Sequence, residues 1–434
     1  MPGRSTWLGA VIDRQDRGMV VEGKQMVAVG EQNTEPLWNP ADRKEVFKRG
    51  LSVTWGGEPR LGSIIGEEEI AATVQAIRDS MDPNVGFGMS DGEVEEFEAA
   101  FAAYVGTKYA ISCNGAGTGI DMTLMCLDLE PGDEVITQCV NFRAVPMAIA
   151  GQRGKIVFAE VDETLQLDPN DVEKKITPRT RAIYPTHMNG MSAPMDDLLE
   201  LAQRYPHPEH GPLKVIGDAA RANGGSYRGT KIGKLGWMNV FSFHTMKNMT
   251  TLGEGGAITT DDDTLIPILK ELRQFGGVGW GSNYKMSKCQ AAVGLVQLAK
   301  LDAMIAARRR LALARHAMLE GCPELTLPIE PEGHEHSYYL YSILVSKAWQ
   351  GEKRDRLTVL LRDEYGVITV VANPPVQNDF AYLRKLTADQ ELPVSQEIGR
   401  RLFCPPIHPA MSDEDNQYIA AAIWEAVERV RAEA

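Results

Sequence analysis

Cysteine is sparse and scattered in this chain of 434 residues: Cys113, Cys126, Cys139, Cys289, Cys322 and Cys404 stand far apart, and no two form a C-x-x-C pair. That spacing excludes a thiolate zinc site and a disulfide-stapled scaffold, and it points to reduced thiols in a cytoplasmic protein. Basic charge is short as well. With 45 Lys and Arg against 59 Asp and Glu, the formal net charge is −14, so nucleic acid, whose phosphates need clustered cations, is not an expected partner. The densest basic cluster, Arg308-Arg309-Arg310, falls in a helical pattern and reads as a solvated face. No run reaches the ~18 consecutive apolar residues of a membrane span. The opening stretch Met1–Trp7 carries an arginine but leads into no sustained apolar core, so a secretory leader is not expected either.

What is present is an ordinary globular composition, 43% hydrophobic and 24% charged, in a chain long enough for two or three domains at roughly 150 residues each. Residues 1–62 are the least patterned part; they suit an extension packed on the body or on a partner subunit, and the first 25 equally suit a partly disordered leader. From Glu67 the spacing of Ile70, Val74, Ile77 and Met81 predicts a helix with one apolar face. Ser90-Asp91-Gly92-Glu93 reads as a capping box opening a second helix that Gly106 closes.

Strands and helices then alternate. Strands are expected at 108–112, 135–137, 155–161, 181–185, 213–217, 239–243 and 257–260, with helices at 120–127, 169–176 and 195–205 between them. Such alternation predicts an α/β fold with a mostly parallel sheet covered by helices on both faces, and ligands at the carboxyl ends of the strands. A long helix from 287 to 319 leads into a smaller α+β region with a strand at 337–345, a helix at 354–365, a strand at 367–371 and a last helix capped by Ser412. His207-Pro208-Glu209-His210 has metal-binding residue types but reads as an exposed loop between helix and strand.

The stretch Val240-Phe241-Ser242-Phe243-His244-Thr245-Met246-Lys247, followed by Gly253-Glu254-Gly255-Gly256, sets one lysine at the rim of that sheet. Most lysines are solvated surface groups. An amine enclosed by Phe241, Phe243, Met246 and Met249 would instead lose basicity and become a nucleophile for Schiff-base chemistry. Asp218 closes the apolar run Leu213–Gly217 at another strand end, where a carboxylate can pair with a protonated pyridine nitrogen. Strand 108–112 runs into Asn114-Gly115-Ala116-Gly117-Thr118-Gly119 and then a helix; free backbone N–H groups and the helix dipole suit a phosphate there.

Gly217-Asp218-Ala219-Ala220, Ser242-Phe243-His244 to Lys247, Gly253-Glu254-Gly255-Gly256 and Asn283-Tyr284-Lys285-Met286 together resemble the DegT/StrS-type sugar aminotransferases, fold-type I enzymes dependent on pyridoxal phosphate (PLP), from about Ser63 onward. The resemblance implies that Lys247 holds PLP covalently and that Asp218 faces its ring nitrogen. It also implies that Phe142 stacks on the ring, that Gly117, Thr118 and Ser242 hold the phosphate, that a partner subunit's Asn283 completes it, and that His187 lies nearby. A homodimer with shared active sites follows. Glutamate or glutamine is the implied amino donor, and a keto-sugar nucleotide or keto-cyclitol the acceptor. Two positions depart from the family pattern: Arg221, where Gln or His is common, suits either the cofactor's phenolic oxygen or an anionic substrate group, and Tyr339 stands where His is common. The family's 3-dehydratase branch has His at the lysine position, so Lys247 argues against that chemistry. A dehydrating or aromatising synthase using the same lysine, and a non-catalytic PLP-binding sensor, are the competing readings. The expected organisation is an extension at 1–62, a PLP-binding large domain at 63–319 and a small C-terminal α+β domain at 320–434.

Overall fold

Seven strands form the central sheet in the computed structural model, which describes residues 39–56, 62–88, 92–277, 279–370 and 374–433. In chain order the strands are β1 (Tyr109–Cys113), β2 (Glu134–Gln138), β3 (Lys155–Ala159), β4 (Thr180–Tyr184) and β5 (Lys214–Asp218), then the short β6 (Ser226–Tyr227) and β7 (Thr230–Lys231), then β8 (Met238–Ser242) and β9 (Gly256–Thr260). The large sheet runs β1-β9-β8-β5-β4-β2-β3. β3, β2, β4, β5 and β8 are parallel, and only β9 runs against its neighbours β1 and β8. The carboxyl ends of β1, β2, β4, β5 and β8 therefore share one edge with the start of β9. β2, β4, β8 and β9 are buried along their whole length, as strands covered by helices on both faces must be.

Helix Lys288–Leu319 opens at a capping box in which Ser287 and Gln290 exchange hydrogen bonds. It is long and apolar enough to cross a membrane by length and composition alone, a correction to the expectation that no stretch comes close. Here it is a core helix, packed against Glu67–Asp79, Glu93–Val105 and Asp413–Ala432. The arginine cluster is corrected too: Arg308 is 1% exposed, and its guanidinium is spent on backbone carbonyls.

Beyond that helix lie β10 (Leu325–Thr326), β11 (His334–Glu335), β12 (Ile343–Val345) and β13 (Leu402–Phe403), in the sheets β10-β12-β13 and β11-β6-β7. A separate core gathers around Tyr341, Trp349, Phe403, Leu357 and Ile423. The strand expected at 337–345 shrinks to 343–345, because Tyr338 takes a left-handed φ of 45° that no regular strand accommodates. At 367–371 the described part is a single bridge from Val370 to Cys404, and Val371 lies outside the described residues.

Helix Pro40–Arg49 is capped by Asn39, and its Arg43 reaches Glu425 and Glu428, both at 2.7 Å, on the last helix. Trp55 follows with its indole N–H on Asp415 at 2.6 Å. Residues 39–56 are thus part of the C-terminal core. The leader expected in the first 25 residues and Ser90-Asp91 lie outside the described residues; the expected capping box is corrected, since helix Glu93–Val105 opens at Gly92 with no side-chain cap and Glu93 is its first residue. Helix Glu67–Asp79 carries Ile70, Val74 and Ile77 of the expected apolar face but stops before Met81, and the face points outward: Ile70 is 54% and Ile77 49% exposed.

Candidate active site

β8 delivers Ser242 to the carboxyl edge, and the chain then turns through Phe243–Lys247 against the loop before β9. Phe243 N–H donates to Gly255 O at 2.8 Å, Thr245 N–H to Gly253 O at 3.0 Å and Lys247 N–H to His244 O at 2.9 Å. The glycine motif has a steric reason. A Cβ on Gly256 would lie 2.7 Å from the carbonyl carbon of Gly115 and 2.9 Å from Ala116 N, so only glycine lets the lysine turn and the phosphate-type turn touch.

The Lys247 amine points into a space closed by Tyr339, Arg221 and Asp218. Nζ lies 3.5 Å from the Tyr339 hydroxyl and 4.7 Å from its ring centroid. Arg221 Cζ lies 5.7 Å from the same ring, and one of its N–H groups donates to Asn189 Oδ1 at 3.0 Å. Burial pulls the Lys247 amine below its ordinary pKa, Arg221 adds to the effect, and the Tyr339 and Asp218 oxygens oppose it. The amine is thereby eased toward its nucleophilic form.

Asp218 ends β5, 4% exposed. Its carboxylate accepts from Ala220 N–H at 3.0 Å and from the Thr186 hydroxyl at 3.2 Å. Burial raises its pKa, against those two donors and the charges of Arg221 and Lys247. Among the described residues this carboxylate forms no ion pair. A buried acid left so is what a protonated ring nitrogen would complete, and by this test the residues fit PLP.

At the phosphate end, helix Ala116–Met125 starts directly after Gly115, so the N–H groups of Ala116, Gly117 and Thr118 have no intrahelical acceptor. Space above Gly117 is open: a Cβ there would meet nothing within 4 Å. The Thr118 hydroxyl turns back onto Asn114 Oδ1 at 2.8 Å and Gly115 O at 2.7 Å, stiffening the turn. Ser242 is buried, with its Oγ accepting from His244 N–H at 3.3 Å. Phe142, after β2, is 50% exposed, so a ring face is open to stack. Asn283 is exposed on the far strand of its loop, where its backbone pairs with Gln274 and its carbonyl takes Asn114 Nδ2 at 3.4 Å.

His187 sits differently from its neighbours. Its backbone N–H donates to Asp218 O at 2.9 Å, but the imidazole lies under the sheet, where Nδ1 accepts from Ala193 N–H at 3.0 Å. Nε2 and Asn239 Oδ1 crowd the place a Gly217 Cβ would take, at 2.6 and 2.0 Å, facing one another without closing a hydrogen bond. Gly217 and Asp218 alternate on β5, so the ring is on the face opposite the Asp218 carboxylate. The remaining candidates, Lys247, Asp218, Ser242, Gly117, Thr118, Phe142 and Arg221, stand along the carboxyl edge or the turns leaving it. Sequence reading missed Asn141, Thr186, Asn189 and Arg308, which aim those groups; a polar residue two or three positions past a strand end is the signal that would have found the first two.

Such an edge serves one class of chemistry, PLP-dependent transfer on a fold-type I scaffold. Comparison with known proteins narrows the class: residues 65–424 match the DegT/DnrJ/EryC1/StrS aminotransferase family, and the chain belongs to that family, whose cofactor is PLP. A dTDP-3-amino-3,4,6-trideoxy-alpha-D-glucose transaminase of Streptomyces venezuelae is 35% identical over 78% of this chain and 88% of its own. The spore coat polysaccharide biosynthesis protein SpsC of Bacillus subtilis is 33% identical over 84% of this chain and 95% of its own. The solved structure of S. venezuelae DesV in complex with a ketimine intermediate superposes with a TM-score of 0.76 at 34% identity, covering 84% of this chain and 96% of that one. The protein is an aminotransferase.

Proposed function

We propose that this aminotransferase takes its amino group from glutamate or glutamine and delivers it to a ketone on a sugar nucleotide or a cyclitol. The observation that carries the reading is an enclosed Lys247 amine of lowered basicity on the same sheet edge as the buried Asp218 carboxylate, which forms no ion pair among the described residues. A transaminase of an amino-sugar nucleotide among the relatives supports the sugar acceptor.

PLP, when bound, supplies the electron sink that lets an amino group leave one carbon and join another. The protein's own part is placement and proton handling. Lys247 anchors the cofactor and, once displaced, moves a proton on and off the reacting carbon as general base and acid. Asp218 stabilises a positive ring nitrogen, the first turn after Gly115 with Ser242 holds the phosphate, and Phe142 covers one ring face.

The working unit in this reading is a homodimer in which the partner subunit's Asn283 closes the phosphate site. The outward stripe of Ile70, Val74, Ile77 and Met81 gives a second copy an apolar surface to cover. We place residues 63–319 as the cofactor-binding domain and 320–434 as the smaller one, in a cytoplasmic protein whose six cysteines are free thiols. An absorbance titration of the loaded protein tests the donor: glutamate or glutamine is expected to bleach the band of the lysine-bound cofactor while alanine leaves it. Equal bleaching by alanine, or none by any donor, overturns the assignment.

A further inference from the structure

Tyr339 has no duty in the reading above, yet it is the residue closest to the reacting amine in the contacts of the site. It is 6% exposed, and its hydroxyl receives Lys247 Nζ at 3.5 Å. Burial alone would raise a phenol's pKa. Here burial is outweighed by Lys247, Arg221 and Arg308, which hold Tyr339 below its ordinary value. The charged groups facing the pair are thus Arg221 and Arg308 toward the phenol, and Arg221 and Asp218 toward the amine. An amine and a phenol start close in proton affinity, at about 10.4 and about 10, and the site displaces both in the same direction, so a proton can pass across the 3.5 Å between them without a large mismatch to overcome.

The spacing of the two groups is held by a third. Arg308 is fully buried, and one of its amino groups donates to Tyr338 O at 3.2 Å, Tyr339 O at 3.4 Å and Ile407 O at 3.2 Å. The other amino group donates to Gly62 O at 2.6 Å. Gly62, at φ +108°, is pressed on the lysine turn so closely that a Cβ would lie 2.4 Å from Thr245 O and 3.1 Å from Lys247 O. One guanidinium therefore binds the backbone of Tyr339 directly and holds Gly62, which packs against the Thr245–Lys247 turn. It brings a full positive charge with no carboxylate among its described partners.

We propose that Tyr339 is a second proton-transfer residue of this site, exchanging one proton with the Lys247 amine, and that Arg308 is the positioning residue that sets the gap between them. In the step an N–H bond of the Lys247 ammonium breaks as an O–H bond forms on the Tyr339 phenolate, leaving a neutral amine and a neutral phenol with no other reactant. The inference rests on Lys247 being the reacting amine, as argued above.

The test uses the full chain freed of cofactor. Lys247 reactivity toward reductive methylation is followed against pH by peptide mass spectrometry in the wild type and in Tyr339→Phe. Loss of the phenolate removes what stabilises the ammonium, so the half-reaction pH is expected to fall by about one unit or more. An unchanged or higher midpoint overturns the proposal. Should Tyr339→Phe not fold, ultraviolet titration of wild-type tyrosinate decides: a phenolate appearing below the ordinary tyrosine range supports the proposal, and its absence overturns it. Borohydride tagging of the PLP-loaded wild type is scored separately. A tag on another lysine defeats the assignment of Lys247, whereas a tag on Lys247 with an unmoved midpoint defeats only the role of Tyr339.

Discussion

The Thr186 hydroxyl donates to Asp218 Oδ2 at 3.2 Å while accepting from Asn141 Nδ2 at 2.6 Å, so a three-residue chain running from the end of β2 through the end of β4 aims the carboxylate at the end of β5. All three members are buried, which leaves each little freedom to find another partner. Thr186→Val keeps the shape and deletes the donor. A buried hydrogen bond to a charged group contributes about 1.5–3 kcal/mol, so the Kd for PLP is expected to rise roughly tenfold or more. Equilibrium dialysis with absorbance detection measures it, and an unchanged Kd would remove Thr186 from the site.

Asp218 itself trades stability for function. Its folded pKa lies above the ordinary 3.8 because burial penalises the charge. The folded chain then binds this proton more tightly than the unfolded chain, so stability is fullest below the ordinary value and is lost as pH rises through the folded one. Asp218→Asn is therefore expected to raise the Tm of the cofactor-free protein at pH 7, while transamination falls by ~10²-fold or more as the ring nitrogen loses its counter-charge. Calorimetry and a coupled assay read the two effects, and a lower Tm would contradict the electrostatic account.

Two buried histidines set the opposite slope in acid. His187 is depressed to about 4 and His336 to about 3, in both cases first by burial. Groups that charge less readily when folded contribute stability that is intact above their unfolded value near 6.5 and is lost as pH falls toward the folded one. Each histidine is expected to cost about 2 kcal/mol between pH 6.5 and 5. Urea midpoints across that range should fall steeply, and His336→Asn should flatten the slope; a flat wild-type curve would show that both rings gain solvent before they charge.

Strand positions and most of the candidate site were readable because their causes are local, whereas the order of the strands in the sheet was not. β8 is a buried strand by composition, Asp218 closes β5, and Gly117 and Lys247 lie in the turns that follow β1 and β8, where a parallel sheet presents its ligands. Arg308 was not readable. Its neighbours Arg309 and Arg310 meet Glu330 and Asp413 at the surface, and nothing in the triplet says that Gly62, Tyr338 and Ile407 converge on the first of them. The helix of Ile70, Val74 and Ile77 shows the same limit from the other side, since periodicity reveals that a face is apolar but not what covers it.

That outward stripe gives a prediction about assembly. Ile70→Asp combined with Ile77→Asp puts two charges on residues now about half exposed, 54% and 49%. Covering them with a second copy would then bury unpaired carboxylates, at a cost of several kcal/mol. Sedimentation equilibrium is expected to show a dimer for the wild type and a Kd for dissociation raised by ~10²-fold or more in the variant. Monomer unfolding should change little, because the inward side of this helix, including Glu69 and Ala76, is untouched. A variant that stays dimeric would place the interface elsewhere.

Gly62 carries the tightest constraint on the reacting lysine from outside its own loop. A methyl group there would stand 2.4 Å from Thr245 O, against backbone that cannot rotate away, and the residue's φ of +108° is strained for any L side chain. Gly62→Ala therefore has to push the segment off the Phe243–Lys247 turn or distort the turn itself. Positive φ alone costs of order 1–3 kcal/mol. Displacement of Gly62 also takes its carbonyl away from Arg308, leaving a buried donor short of a partner. The expected outcome is a loss of about 2–4 kcal/mol in chemical denaturation, with the pH profile of Lys247 labelling shifted relative to wild type. A stability loss with an unmoved profile would mean that Gly62 supports the fold without aiming the amine.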